Sequence, residues 1–429
     1  MNLAYPDGAR WWLDGAALRR VVGDLLAGEM AQMRPGARPA PMPWPDGFDL
    51  SADLGADSLD LMGLAAAMET VLRLRRPVDA DAGALLATTG FDAWTAAARA
   101  GLAAGGDALT FRTSGSSGAP KPCTHSLASL WQETGALAAL FAGRRRIVQL
   151  VPSHHIYGFL FTVLLPRRLG LAACEVVDLR GLTPGALAGQ LQPGDLVVGF
   201  PDVWRGFAGC GAALAADDVI GVSSTAPCPD EVARAVLGAG LARLVQVYGS
   251  SETAGVGWRA RPEADYTLFP YWSRGADDGV LHRTAPGENA QPGMAPSDGQ
   301  TQPYALQDRL AWSDATHFRP AGRIDAAVQV GGVNVFPAYV ADVLKLHPQV
   351  ADASVRLMRP DEGQRLKAFV VARADDNTQA NADTLRADLQ AWLAERLSAP
   401  ECPAVFSIGP ALPRGASGKL TDWIIDAWL

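Results

Sequence analysis

Residues 113–121 read Thr-Ser-Gly-Ser-Ser-Gly-Ala-Pro-Lys. Glycines let backbone N–H groups converge on an anion, and hydroxyls add further donors. Lys121 supplies a positive charge, so the segment has what a polyphosphate needs. It is not the Walker pattern, because Gly118 is not followed by Lys-Ser or Lys-Thr, and a P-loop kinase is disfavoured. Serine and glycine also make flexible linkers, but a linker has no need of the rigid, charged ending Pro120-Lys121. Three later stretches set chemically capable side chains among glycines. They are Tyr248-Gly249-Ser250-Ser251-Glu252-Thr253, Gly322-Arg323-Ile324-Asp325 with Asp308 upstream, and Pro413-Arg414-Gly415-Ala416-Ser417-Gly418-Lys419.

The elements that must position these residues follow from periodicity. Leu18, Val21, Val22, Leu25, Leu26 and Met30 recur at helical spacing. The proline-rich residues 35–45 cannot continue that helix. Asp57 or Ser58 caps a second helix carrying Leu61, Leu64, Met68, Val71 and Leu72, and residues 92–102 form a third. From Leu109 short apolar runs (147–151, 195–200, 219–222, 244–248) alternate with helical segments, which predicts an α/β sheet with ligand loops at strand ends. From Gly322 onward a hairpin around Gly331-Gly332, a helix from Pro337, strands at 354–358 and 366–372 and a helix over 382–397 predict a small α+β lid. The expected domains are 1–105, 106–321 and 322–429.

Composition narrows the functional classes. The chain has 429 residues, 48% hydrophobic and 19% charged, with a formal net charge of −8. That balance gives no long-range attraction for nucleic acid or anionic lipid, so an anionic substrate needs a local cationic site. The 5 cysteines are scattered without a C-x-x-C pair, which argues against a disulfide framework or zinc site and for a reducing cytoplasm. The N-terminus has no signal pattern, and the longest apolar run, 156–166, is too short to span a bilayer.

Four motifs in this order resemble the AMP-forming acyl- and aryl-CoA synthetases and the adenylation domains of peptide synthetases. The resemblance runs over residues 109–429. It implies an α/β adenylate-forming large domain, shortened before the loop, with a mobile α+β lid. It implies ATP and Mg²⁺: a carboxylic acid attacks the α-phosphorus and pyrophosphate leaves. Thr113, Ser114, Gly115, Ser116, Ser117, Gly118 and Lys121 would form the loop around the β- and γ-phosphates. Ser251, where the family usually has Thr, would contact the α-phosphate, and Glu252 would hold Mg²⁺. Tyr248 would stack on adenine beside Gly249. Asp308 would bind the ribose hydroxyls, although Leu306-Gln307 stand where the family has Thr-Gly. Arg323 would reach ribose or phosphate, Asp325 would be the hinge, and Lys419 would be the catalytic lysine. Residues 152–158 resemble the segment that lines the acid pocket. They bring His155 and Tyr157, with Thr225 and a bulky Trp258 suited to a small aromatic acid such as a hydroxybenzoate.

The residues before the loop depart from the family. Asp53-Leu54-Gly55-Ala56-Asp57-Ser58-Leu59-Asp60 resembles the attachment motif of acyl carrier proteins, which implies an all-α carrier-like bundle with 4′-phosphopantetheine on Ser58. Arg73, Arg75 and Arg76 depart from the acidic helices usual in carriers. The whole resembles compact ligases that load aromatic acids in aryl-polyene or xanthomonadin-type pigment synthesis, with an acyl carrier protein as acceptor. Free CoA is the alternative acceptor, and Gln329 stands where many relatives have Lys beside the Gly-Gly hairpin. A catalytically dead carrier or scaffold is a third reading, against which Lys121, Glu252, Asp308, Arg323 and Lys419 speak. A shortened sheet would leave an edge to be covered, for which a homodimer is one solution.

Overall fold

The computed structural model describes residues 7–34, 40–75, 85–113, 121–211, 213–214, 216–277, 279–286, 301–324, 327–373, 379–414 and 421–423. The chain divides into two compact units, one of residues 1–112 and 122–322, the other of 113–121 and 323–429.

Three helices open the first unit. Asp14 caps α1 (Gly15–Met33), its carboxylate accepting from the amides of Ala16 and Ala17. Asp57, not Ser58, caps α2 (Ser58–Leu72). It accepts from the amides of Leu59 and Asp60, while Asp60 accepts from the Asp57 amide, a capping box. Helix α3 spans Phe91–Gly105. Strands β1 (Ala108–Thr113) and β2 (Lys121–Ser126) pair and lead into α4 (Leu127–Leu140).

The main sheet follows. Its strands are β3 (Arg146–Gln149), β4 (Val176–Asp178), β5 (Asp195–Gly199), β6 (Ile220–Ser223), β7 (Arg243–Ser250), β8 (Ala254–Arg259) and β9 (Tyr266–Leu268). A small sheet of β10 (Trp272–Arg274), β11 (Val280–Thr284) and β12 (Thr301–Ala305) intervenes before β13 (Asp308–Trp312) and β14 (His317–Arg323). Among the described residues the main sheet has 9 strands in the order β13-β14-β9-β8-β7-β6-β5-β3-β4. From β4 to β7 all pairs are parallel, and β7-β8, β8-β9 and β9-β14 are antiparallel. The chain leaves β3 toward β4 on one side and β5 toward β6 on the other. The carboxyl ends of β3 and β5 therefore flank a topological switch point, where open α/β sheets bind ligands.

The first hundred residues, read above as a separate carrier-like module, belong to this unit. Leu18, Val22, Leu25, Leu26, Leu64, Phe91 and Trp94 share one continuous core with Leu109, Phe111, Leu130, Ile147, Phe159, Leu196 and Val245. Trp11 packs edge-on against Phe159 with ring centroids 5.2 Å apart. Polar ties reinforce the join. Arg20 donates to the Thr162 carbonyl (3.0 Å), Arg167 to that of Gly8 (2.8 Å), and Arg112 pairs with Glu29 (2.7 Å). The two compact units therefore do not divide at the boundary expected after residue 105, and the apolar face of α1 is part of the core it shares with the sheet.

In the second unit β15 (Val328–Val330) and β16 (Val333–Val335) form a hairpin through Gly331 and Gly332. Both glycines have positive φ, 57° and 81°, as a two-residue turn with the twist of the strands requires. The helix Pro337–Lys345 follows, then β17 (Val350–Leu357) antiparallel to β18 (Leu366–Ala372), the helix Gln379–Ala394, and β19 (Val405–Gly409) parallel to β18. Val335, Val340, Leu344, Leu366, Val370, Leu389 and Leu393 form its own core. Among the described residues no helix is long and apolar enough to cross a membrane.

Candidate active site

Strand β7 delivers Tyr248, Gly249, Ser251 and Glu252 to its carboxyl end. The pairing with β8 slips between Tyr248 and Gly249, and the chain reverses over residues 251–253. A Cβ at position 249 would lie 2.1 Å from the Ala254 carbonyl oxygen, so only glycine fits this close approach. Ser250 and Thr253 close the turn: the Ser250 amide donates to the Thr253 hydroxyl (3.1 Å) and the Thr253 amide to the Ser250 hydroxyl (3.2 Å). Ser251 and Glu252 stand half-exposed at its tip.

The Tyr248 hydroxyl donates to Asp308 Oδ2 at 2.6 Å. Its ring meets those of Tyr266 and Phe318 edge-on, with centroids 5.9 and 5.4 Å away. Two residues separated by 60 positions are thereby joined, one near the end of the central strand β7 and one at the start of the edge strand β13. Beyond β6, Thr225 is exposed with φ 77°. A β-branched residue there costs roughly 1–3 kcal/mol, and such strain concentrates at functional sites.

Beyond β3 the segment 152–158 is pinned from below by the first helix. The buried Asp24 of α1 accepts from both the amide and the hydroxyl of Ser153 at 2.6 Å and pairs with Arg180 at 2.7 Å. His155 is exposed on this segment, its ring 4.1 Å from that of His154. His154 packs against Gly28 of α1, and burial holds its imidazole well below the ordinary value, hence neutral. Tyr157 is buried, and its hydroxyl shares its one proton between the carbonyls of Gly199 (2.9 Å) and Val222 (3.0 Å), tying together the ends of β5 and β6. It therefore braces the site and does not present its hydroxyl to a ligand. Trp258 is half-buried on β8 opposite Val247, whereas Tyr248 lies opposite Gly257. Successive residues of a strand face opposite sides, so Trp258 and Tyr248 lie on different faces of the sheet.

Thr113 ends β1 and Lys121 opens β2, so the two strands bracket the phosphate-loop sequence. Ser114, Gly115, Ser116, Ser117, Gly118, Asp325 and Lys419 lie outside the described residues. Arg323 ends β14, and Ser58 is exposed at the first position of α2.

Residues that periodicity and motif did not single out complete the arrangement. His125 Nε2 lies 2.6 Å from the Ser251 carbonyl. That oxygen can only accept, so this ring nitrogen carries the proton. Burial pushes the His125 imidazole below its ordinary value, and the charge of nearby Glu252 partly offsets this. Glu133 and Arg283, both buried, meet the same turn from beneath. Only the contacts of the folded chain reveal them. A magnesium ion fits this setting as an ion that arrives with its nucleotide: Glu252 offers one carboxylate at the turn, and Mg²⁺ takes the rest of its shell from phosphates and water.

The AMP-binding enzyme model matches residues 62–271, and the AMP-binding enzyme C-terminal domain model matches residues 339–419. A 4-coumarate–CoA ligase of Halorhodospira halophila is 38% identical over 415 residues, which cover 95% of this chain and 99% of that protein. A 4-coumarate–CoA ligase of Rhodobacter capsulatus is 41% identical over 317 residues, 73% of this chain and 74% of that one. Among solved structures, an o-succinylbenzoate CoA synthetase from Bacillus subtilis superposes with a TM-score of 0.56 at 18% identity, covering 73% of this chain and 67% of that one. An amide bond synthetase from Marinactinospora thermotolerans gives 0.58 at 20% identity over 72% and 67%. These two share the fold: a large α/β domain followed by a small C-terminal one.

Proposed function

The chain belongs to the AMP-binding enzyme family and is a ligase of that family, and from this premise we propose that it activates a small aromatic acid with ATP and passes the acyl group to CoA. The hydrogen bond between Tyr248 and Asp308 carries the reading of the nucleotide end. It supports an adenine-stacking ring and a ribose-binding carboxylate acting as one unit, a short step along β7 from Ser251 and Glu252. A substrate carboxylate oxygen attacks the α-phosphorus, the bond to the β-phosphate oxygen breaks, and pyrophosphate departs. Negative charge grows on the phosphoryl oxygens, so donors and cations supply most of the acceleration. In this reading Ser251 donates to the α-phosphate and Glu252 holds the Mg²⁺ that neutralises the phosphate oxygens. Lys121 and the loop it ends bind the β- and γ-phosphates, and Lys419 joins the attacking carboxylate to the α-phosphate. A thiolate then attacks the acyl carbonyl and AMP leaves.

The aromatic acid and the CoA acceptor draw support from the two relatives named as 4-coumarate–CoA ligases. On this point the preference for a carrier protein gives way to the CoA alternative. The carboxyl ends of β3 and β6, with His155 and the strained Thr225, form the acid side of the proposal. One observation keeps the carrier reading as a second candidate: Ser58 is exposed, while the capping role falls to Asp57. Incubation with a pantetheinyl transferase and intact-mass measurement would detect an arm on Ser58.

The deciding experiment is ATP–pyrophosphate exchange with 4-coumarate, 4-hydroxybenzoate, acetate and palmitate, followed by thioester detection with CoA or a holo-carrier protein. The expected result is exchange with an aromatic acid and thioester with CoA. Preference for palmitate, or the absence of acid-dependent exchange, would reject the reading.

A further inference from the structure

The backbone of residues 251–255 is gripped from its buried side at four points. His125 holds the Ser251 carbonyl (2.6 Å). Arg283 Nη1 donates to the Thr253 carbonyl (3.3 Å). The Gly255 amide donates to Glu133 Oε1 (2.9 Å), and the Gly255 carbonyl accepts from the Tyr271 hydroxyl (3.0 Å) and the Trp272 indole (2.7 Å). Glu133 on α4 and Arg283 on β11 are 1% and 3% exposed, and their side chains approach to 3.9 Å. The same guanidinium donates to the Ser129 carbonyl (2.7 Å) and the Gln132 side chain (3.2 Å), and lies 4.5 Å from the centre of the Tyr271 ring. Arg283 thus fastens α4 to the turn, and Glu133 fastens the turn to α4.

A carboxyl and a guanidinium buried beneath the β7–β8 turn are expensive, and replacing such a pair by apolar residues is often neutral for stability. The cost has a purpose if the turn must be held in one geometry. Ser251 and Glu252 sit at its tip, and the gripped backbone atoms beneath them belong to Ser251, Thr253 and Gly255. We propose that Glu133 and Arg283 are positioning residues that hold the Ser251–Glu252 turn in the geometry needed for adenylation, acting through the Gly255 amide and the Thr253 carbonyl. The inference rests on the reading of Ser251 and Glu252 as the α-phosphate and Mg²⁺ groups. Burial pushes the Glu133 carboxyl up to about 7, with Arg283, the Gly255 amide and Tyr271 pulling it back. This agrees with a carboxyl placed for its hydrogen bond and not for solvent exposure.

The test uses the full chain, ATP, Mg²⁺ and 4-coumarate in pyrophosphate exchange, or the best acid of the panel above. Glu133→Leu leaves the Gly255 amide unpaired. Arg283→Lys keeps the charge but cannot fork to the Thr253 and Ser129 carbonyls, and it serves alone if Glu133→Leu does not fold. In the folded variants kcat is expected to fall at least tenfold and the half-saturating Mg²⁺ concentration to rise several-fold, with the acid KM within twofold of wild type. Glu133→Gln, which still accepts from Gly255, restores most of the rate. A purely structural pair would lower the melting temperature without moving the Mg²⁺ requirement. Folded Arg283→Lys with kcat and Mg²⁺ dependence within twofold of wild type would overturn the proposal. Glu252→Gln, assayed in parallel, separates the two levels. If it is inactive while Arg283→Lys is unchanged, only the positioning role fails; if it keeps full exchange, the reading of the turn fails and the positioning role with it.

Discussion

In the proposed function Tyr248 brings two capacities to one place: a ring for a base to stack on and a hydroxyl that donates to the Asp308 carboxylate. Removing the hydroxyl separates them. Tyr248→Phe keeps the ring, and a hydrogen bond to a charged group is worth about 1.5–3 kcal/mol. ATP KM is therefore expected to rise roughly tenfold or more, with the acid KM unmoved, in steady-state exchange kinetics. Lys419→Ala is expected to abolish adenylate formation yet spare thioester formation from preformed acyl-adenylate. Full adenylation by that variant would remove the lysine from the proposed mechanism. Glu133 makes a different kind of prediction. Its ordinary pKa of 4.5 rises to about 7 in the folded chain, chiefly through burial. Between these values the folded chain keeps a proton that the unfolded chain has released. The group's contribution to stability is therefore complete below 4.5 and is lost as pH rises through 7. Denaturant melts at pH 5 and pH 8 should show Glu133→Gln gaining on wild type at the higher pH, by on the order of 3 kcal/mol. Tyr248, Ser251, Glu252 and Asp308 were singled out because the motifs they stand in resemble the family's, and the fold joins Tyr248 to Asp308. Glu133 and Arg283 were not, because a lone Glu in a helix and a lone Arg in a strand look like surface charges until the fold buries them.

Element boundaries followed from local rules wherever the cause was local. Asp57 and Asp60 announce the start of α2 by their spacing, and Gly331-Gly332 announces the hairpin of the second unit. The role of α1 was illegible for the opposite reason. Its apolar stripe predicts burial but not against what, and the group that matters, Asp24, is 129 residues from its partner Ser153. In the folded chain α1 supplies the floor of the segment that carries His155. Asp24→Asn would take the anion from Arg180 and one acceptor from Ser153. Breaking a buried pair costs about 3–5 kcal/mol, less here because Arg180 also binds Asp178. The expected result is a melting temperature several degrees lower and an acid KM raised more than the ATP KM. Equal effects on both would mean that α1 supports the unit without shaping the acid side.

At the scale of the molecule the question is what residues 1–105 do for the unit that carries the phosphate-loop strands. The match to the relative from Halorhodospira halophila covers 95% of this chain and therefore includes most of these residues. The architecture supplies a physical answer. Helices α1–α3 share one apolar core with the face of the sheet on which Ile147, Leu196, Val222 and Val245 lie, through fully buried side chains such as Leu18, Val22, Leu26, Leu64 and Trp94. Each large apolar side chain buried this way contributes roughly 1.5–3 kcal/mol, so the join rests on many more contacts than a tether between modules would provide. This sets a carrier module apart from an integral layer by experiment. A carrier module would fold alone, and removing it would leave a folded catalytic unit. An integral layer leaves both halves with an uncovered apolar face. Expressed separately, residues 1–105 should lack a cooperative thermal transition by circular dichroism. Residues 106–429 should bind a hydrophobic dye and lose exchange activity, and co-expression of the two pieces should restore part of it. A cooperative melt from 1–105, together with an active 106–429, would show that the shared core is dispensable and return the N-terminal helices to the status of a module.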